Sequence, residues 1–394
     1  MADFRYIVIG RGMMGTAAAR HLSQQTDGVG VIGPDEPADK RIHDGVFASH
    51  YDEGRITRTI DPDETWARLA NRSIARYSEI TERSGIGFYS PVGCLAAGAS
   101  RASGEAYIGD VLDAAGALGV GTELLDDVGL SKRFPFFSFE PGSEGVFEAE
   151  GAGYISPRRL VAAQSALAEK AGVRIIRDTV VKTVTGRDSV EVTTAEGHRY
   201  TAEKVLVAAG GFSIAENLLP EPLEMQVYGR TIVFMEVEEA EAARLAAMPS
   251  LITKPSDPRD SIYLLPPIRY PDGRYYLKIG GDPDDLHLKT EADIRAWFRG
   301  EGRAEVSEHL LRIARSLLKG VAIRSISTAA CVTSFPPTRL PAIGFTASPR
   351  IAVVTGGCGA AAKSSDEIGR LGAQMLLTGQ IDSAYDADFR PRFL

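Results

Sequence analysis

Cysteine is scarce in this chain: Cys94, Cys331 and Cys358 are the three thiols among 394 residues. So few, so widely spaced, they exclude a disulfide framework and a thiolate-rich zinc site. The six histidines form no His-x-His or His-Glu-x-x-His spacing, so no metal is expected. Long apolar runs are missing too; nothing approaches the roughly 18 residues of a membrane-spanning helix. The opening residues, MADFRYIVIG, hold neither a basic leader nor a small-residue cleavage site, and the expectation is a cytoplasmic protein without a membrane partner. Positive charge is in deficit: 44 Lys and Arg against 52 Asp and Glu leave a net charge of −8, which argues against nucleic acid as a partner. No internal repeat of about 20–50 residues and no low-complexity tract is present.

Glycine, by contrast, is abundant: 41 residues, above the ~7% of an average protein. At roughly 150 residues per domain the length fits two to three domains. Residues 5–9 form a short apolar run ending at Gly10, 13–24 has helical texture, and 29–32 is apolar again. Strand, turn, helix, strand is the opening of a doubly wound parallel sheet. Helical spacing returns over 64–84 (Trp66, Leu69, Ile74, Tyr77, Ile80), around 105–119, and over 157–171, where Pro157 suits a first helical turn. Candidate strands follow at 173–176, 189–194 and 204–208. From about 216 to 320 the texture changes to strands at 231–237, 261–265 and 275–279, then one or two amphipathic helices over 291–318. A strand at 351–355 and a helix at 363–378 resume the first pattern. The expected fold class is α/β. A discontinuous Rossmann-like parallel-sheet domain comes from 1–84, 145–215 and 320–394, and an α+β domain on a mixed or antiparallel sheet comes from 85–144 and 216–319.

Gly10-Arg11-Gly12-Met13-Met14-Gly15 follows a strand and opens a helix, the context in which a G-x-G-x-x-G loop binds a dinucleotide. The first glycine permits the turn, the second lets backbone approach the pyrophosphate, and the third lets helix pack on strand. Phosphates then sit at the helix N-terminus, where free N–H groups and the dipole favour anions. The usual ribose-binding acid is absent, because the second strand ends at Gly33; Asp35 or Glu36 is the substitute. The loop alone does not separate FAD from NAD, and a NAD(P)-dependent reductase on this unit stays open.

Two further segments carry a resemblance. One is Ser49-His50-Tyr51-Asp52-Glu53-Gly54-Arg55-Ile56-Thr57-Arg58. The other runs from Cys331 through Leu340-Pro341-Ala342-Ile343-Gly344 to Thr355-Gly356-Gly357-Cys358-Gly359 and Lys363-Ser364-Ser365. With the N-terminal loop they resemble the FAD-dependent amine oxidases of the D-amino-acid-oxidase type, with most likeness to the monomeric sarcosine oxidase and N-methyltryptophan oxidase group. Markers span nearly the whole chain. The resemblance implies that Arg55 lies beside the flavin ring, that Arg58 and Lys363 hold the substrate carboxylate, and that Cys331 carries the flavin through a thioether. It implies further that Lys278 sits over the flavin and assists reaction with oxygen, and that Tyr263 is a substrate-site tyrosine. The FAD contacts it implies are Gly10, Gly12, Met13, Met14, Gly15, Asp35, Ser49, Arg55, Ile56, Val181, Gly210, Cys331, Gly344, Gly357, Gly359 and Lys363. This sequence departs from the group's pattern at Asp282 and Ala360, where histidines are expected, and at Thr333, where a tyrosine is expected. The pocket floor is therefore remodelled.

The residue types suit that chemistry. A flavin becomes more negative as it accepts electrons, so fixed cations nearby stabilise the step. Arg55 stays charged when buried. Arg58 offers a fork matched to a carboxylate, although Arg-x-x-Arg is also a common solvated face. Lys278 interrupts an apolar strand, where a lone cation is costly unless the strand is an edge. A helix starting near Lys363 would aim its positive end at the flavin. Cys331 reads either as a small buried apolar residue or as the flavin attachment. The implied function is oxidation of an amino acid or N-substituted amino acid to an imine, with O2 returning as H2O2. The alternative is a dehydrogenase on the same fold that passes electrons to a protein or quinone.

Overall fold

The computed structural model describes residues 2–394. Its first layer is an eight-stranded sheet whose centre is Phe4–Ile9, paired in parallel with Arg199–Val207 on one side and Val29–Ile32 on the other. Arg174–Ile176 and Ile351–Thr355 extend the parallel part. Val180–Thr185, Val190–Thr194 and Ala342–Phe345 add antiparallel hairpins. Ile7 and Val8 are fully buried, as expected of a parallel strand covered on both faces. Helix Met13–Ser23 packs against Pro157–Lys170 and Ser365–Thr378. A Cβ on Gly369 would lie 2.5 Å from that of Ala17, so only glycine permits this crossing.

The second layer is a nine-stranded sheet in the order Leu286–Leu288, Gln226–Val237, Tyr275–Gly280, Ile262–Arg269, Ser250–Lys254, Cys94–Ala99, Ser143–Glu148, Glu123–Leu125. Ser325–Phe335 pairs along the other side of Gln226–Val237. All pairs are antiparallel except Ser250–Lys254 with Cys94–Ala99. Ala304–Leu317 buries Val306, Leu310 and Leu317 against a core that includes Phe134, Phe137 and Phe147. A three-stranded ribbon, Arg55–Thr57, Gly153–Ile155 and Tyr89–Ser90, completes the sheets. Among the described residues no helix is long and apolar enough to cross a membrane.

Two expected boundaries shift. Ser143–Glu148 and Ser325–Phe335 join the second sheet, although the sequence pattern assigns 145–215 and 320–394 to the nucleotide domain. Residues 325–335 read SISTAACVTSF, too poor in large apolar side chains to announce a strand; backbone pairing with Gln226–Val237 makes it one. The helix expected over 64–84 breaks into Glu64–Ile74 and Tyr77–Ser84. At the break Arg76 turns inward, donating to Glu367 at 2.6 Å and pairing with Asp366.

Candidate active site

The strand Phe4–Ile9 ends at Gly10, whose φ of +106° is open to glycine and whose added Cβ would lie 2.3 Å from the Ala208 carbonyl oxygen. A Cβ on Gly15 would fall 1.8 Å from the Gly10 carbonyl oxygen, so helix Met13–Ser23 can start here only without one. From this turn a cavity of about 1100 Å³ runs between the two sheets to Arg58 and beyond. It exceeds the roughly 300–1,000 Å³ usual for one small ligand. Of the residues the sequence singled out, Gly10, Gly12, Met13, Met14, Ser49, Arg55, Ile56, Val181, Gly210, Cys331, Gly357 and Gly359 line it, and so do Arg58 and Tyr263.

Five others stand back from the lining. Gly15 packs helix on strand. Gly344 lies in strand Ala342–Phe345, where its missing Cβ leaves room for Pro391. Asp35 turns outward to Arg11 and Arg177, the latter at 3.0 Å. Burial raises its pKa, but the two guanidiniums outweigh that and hold it below the usual range. Lys278 and Lys363 lie behind the wall, as described below.

At the glycine-loop end, Arg11 Nη1 and His50 Nδ1 are buried without a protein partner. Burial, then the guanidiniums of Arg11, Arg158 and Arg55, pushes the His50 imidazole down to about 3, so it is neutral. A donor and a neutral ring nitrogen left unpaired beside a glycine cradle suit a phosphate-bearing ligand.

Midway along the cavity, Arg55 donates Nη1 to the Gly54 carbonyl and Nη2 to that of Ser49, both at 3.0 Å. Its Nη2 also lies 3.7 Å from Cys331 Sγ. Asp52 pairs with Arg55 and with Lys278 and accepts from Tyr270 Oη at 2.8 Å. Lys278, fully buried in strand Tyr275–Gly280, also donates to the Gly54 carbonyl at 2.7 Å. Burial, with Arg55 beside it, pushes its ammonium well below the ordinary lysine range. The sequence found both cations but not Asp52. A buried lysine in an apolar strand demands a carboxylate, and that demand was the available signal.

Further along, Arg58 Nη2 and Lys363 Nζ share one oxygen of Asp61, at 3.0 and 3.2 Å. Lys363 also donates to the Trp66 carbonyl at 3.4 Å and lies over the Trp66 ring. Burial pushes Lys363 down against the pull of Asp61. Burial pushes Asp61 up, but Lys363 and Arg58 outweigh it and leave it below its usual value. Glu148, buried on the second sheet, accepts from the Thr59 and Ile60 amides at 2.9 and 3.0 Å and fixes the turn that aims Arg58. Tyr77 Oη donates to the Lys363 carbonyl at 3.2 Å, tying the same turn to the C-terminal loop.

Tyr263, Asp282 and Thr333 also line the cavity, from strands of the second sheet and the loop after Gly280. Burial pushes the Asp282 carboxyl up to about 6 against the pull of Arg230, and the Thr231 amide donates to it at 3.3 Å. Thr333 accepts from Arg230 at 2.8 Å. Ala360, Ala361 and Ala362 line the cavity with methyl groups only. The following helix, Ser365–Thr378, carries Asp366 and Glu367 in its first turn, paired to Arg20 and Arg76. Its dipole is thus met by its own carboxylates, and the loop before it faces the cavity instead.

The chain matches the profile described as DAO: FAD dependent oxidoreductase over residues 5–375. It is similar to a protein named monomeric sarcosine oxidase from Bacillus sp. (strain B-0618), 24% identical over 325 residues, 75% of this chain and 76% of that protein. A protein named N-methyl-L-tryptophan oxidase from Yersinia pestis (strain Pestoides F) is 26% identical over 220 residues, 55% of this chain and 56% of its own. A solved structure of a mutant of NikD, an unusual amino acid oxidase essential for nikkomycin biosynthesis, matches with a TM-score of 0.78 at 22% identity. That match covers 100% of this chain and 98% of the other.

Proposed function

The chain belongs to the DAO family of FAD dependent oxidoreductases, and from that premise we propose that it oxidises the carbon–nitrogen bond of an amino acid or N-substituted amino acid. The names of the two relatives support the substrate class. One observation carries the reading: a single cavity joins a glycine-lined dinucleotide end, with unpaired Arg11 and His50 atoms, to the Arg58 guanidinium. The residues present therefore fit FAD. When bound, FAD supplies the two-electron acceptor and passes the electrons on to O2, giving H2O2.

The chain's own residues bind, orient and supply charge. Arg58 takes the substrate carboxylate and fixes the carbon next to nitrogen, where small misplacements are costly. Arg55 holds permanent positive charge at the middle of the cavity, where negative charge accumulates during the reaction. Lys278 and Asp52 stand behind it; Lys278 is the group we assign to the oxygen step. The half-buried phenol of Tyr263 lines the substrate side. The substrate loses a hydride equivalent from carbon and a proton from nitrogen; water then splits the imine into a carbonyl compound and an amine. The methyl-lined wall at Ala360–Ala362, with Thr333, leaves room for a substrate larger than an N-methylated glycine.

Cys331 Sγ lies on the cavity beside Arg55, which supports a thioether to the flavin. Acid precipitation tests this part: yellow pellet from the wild type, yellow supernatant from Cys331→Ser. The whole reading is tested on a panel of primary, N-methyl and cyclic amino acids. Peroxide equal to substrate consumed is expected. Turnover without peroxide assigns the acceptor to a protein or quinone, and no turnover of any member contradicts the reading.

A further inference from the structure

Resting on the reading that Lys278 serves the oxygen step, we propose that Asp52 is the positioning residue of that step, holding the Lys278 ammonium charged and fixed against Arg55. The group sits one layer behind the cavity. Lys278 Nζ lies 5.9 Å from the centre of the Tyr263 ring, and Tyr263 and Arg55 both line the cavity.

A fully buried lysine beside an arginine keeps its proton only where a carboxylate answers it. Among the described residues Asp52 is the one carboxylate within ion-pair distance of Lys278. Both of its oxygens are used. Oδ2 takes Lys278 and Arg55, while Oδ1 accepts from the Glu53 amide and from Tyr270 Oη, both at 2.8 Å. Gly54 completes the seat. A Cβ there would lie 2.7 Å from Ile268 Cδ1, so glycine is what brings its carbonyl to the Lys278 ammonium, also at 2.7 Å. The other charged or titratable groups around Lys278 do not replace Asp52. Glu53 is turned to Arg158 and Ser156. Burial pushes the phenols of Tyr263 and Tyr270 up, so both stay neutral. Cys331 lies beyond Arg55, 3.7 Å from its Nη2. Phe234 and Leu265, the register partners of Lys278 on the flanking strands, are apolar. Arg55, Lys278 and Asp52 together leave a single net positive charge beside the middle of the cavity. O2 takes two electrons from the reduced flavin and leaves as H2O2, with one proton from the flavin and one from solvent. Lys278 keeps its own proton and acts by charge.

The test mixes the reduced, flavin-loaded protein with oxygen across pH. Asp52→Asn removes the answering charge, so Lys278 gives up its proton. The variant should react about a hundredfold more slowly than the wild type at about pH 8, and only about tenfold more slowly at about pH 6, where a buried lysine regains its proton. Heteronuclear NMR of the lysine side-chain nitrogens reads the same change without turnover: an ammonium at Lys278 in the wild type, an amine in Asp52→Asn at about pH 8. The double variant Asp52→Asn with Lys278→Met leaves no unpaired lysine and keeps the test open if Asp52→Asn does not fold. It should match Lys278→Met within about threefold, because Asp52 acts through the lysine. An ammonium retained in Asp52→Asn, the wild-type oxygen rate in that variant, or a double variant about tenfold slower than Lys278→Met overturns the role of Asp52. Lys278→Met at the wild-type rate instead removes the oxygen assignment itself, and this proposal with it.

Discussion

Two buried Lys–Asp–Arg clusters face the same cavity and differ in what they leave open. In the first, Lys278 and Arg55 meet at Asp52, and Tyr270 closes the group. In the second, Lys363 and Arg58 meet at Asp61. Each aspartate lies three residues from its arginine, and each lysine is no more than 1% exposed. Arg55, however, has both terminal nitrogens occupied by backbone carbonyls, whereas Arg58 retains an unpartnered Nε. The same three residue types thus make a fixed positive field in one place and a docking point in the other. Occupancy of the guanidinium decides which.

The largest expected effect is on stability. Asp52→Asn and Asp61→Asn each strand buried cations, and each should cost roughly 3–5 kcal/mol in urea unfolding. Asp52→Asn should be the worse, because Asp52 serves Lys278, Arg55 and Tyr270 together. A loss near zero in both would mean that the lysines are neutral and the clusters are not ion pairs.

Activity separates the clusters next. Lys278→Met should slow the reaction of the reduced enzyme with oxygen by about a hundredfold and leave substrate KM unchanged, as expected when one preorganised charge is removed. Arg58→Met should instead raise KM, with a loss in kcat/KM of about 2–4 kcal/mol. Rapid mixing under anaerobic and aerated conditions measures both; exchanged phenotypes would reverse the assignment.

The smallest effect lies outside both clusters, at Asp282. Its carboxyl is raised to about 6 from an ordinary 3.8. A raised acid favours the folded state fully below its unfolded pKa and loses that contribution as pH climbs through about 6. Asp282→Asn should therefore match the wild type near pH 4 and exceed it by about 2 kcal/mol at pH 8. Equal stability across that range would show the carboxyl to be unperturbed. Asp282 also lines the cavity, so wild-type kcat/KM should change through the same window and the variant should not.

What the sequence revealed tracks what one stretch of chain can encode. The run at 5–9 and the glycines after it announced the central strand and its turn, and Ser156-Pro157 announced the start of Pro157–Lys170. Both are local signals. Ser325–Phe335 was invisible because its order comes from pairing with a strand about a hundred residues earlier. The site divides the same way. Arg55, Arg58 and Cys331 stand in recognisable segments and do line the cavity, but which carboxylate answers which lysine is a matter of tertiary placement. Asp35 shows the converse: correct residue type near the expected position, turned away by Arg11 and Arg177.

A flavin ring beside Arg55, with the substrate held against it through a carboxylate on Arg58, is the arrangement on which the proposed reaction depends. Anaerobic mixing of the flavin-loaded protein with the amino acid panel and with the matching methyl esters tests it most directly. Bleaching of the flavin band by at least one free acid, lost with its ester and weakened in Arg58→Met, is the result expected. Equal bleaching by acid and ester, or none by any member, would contradict it.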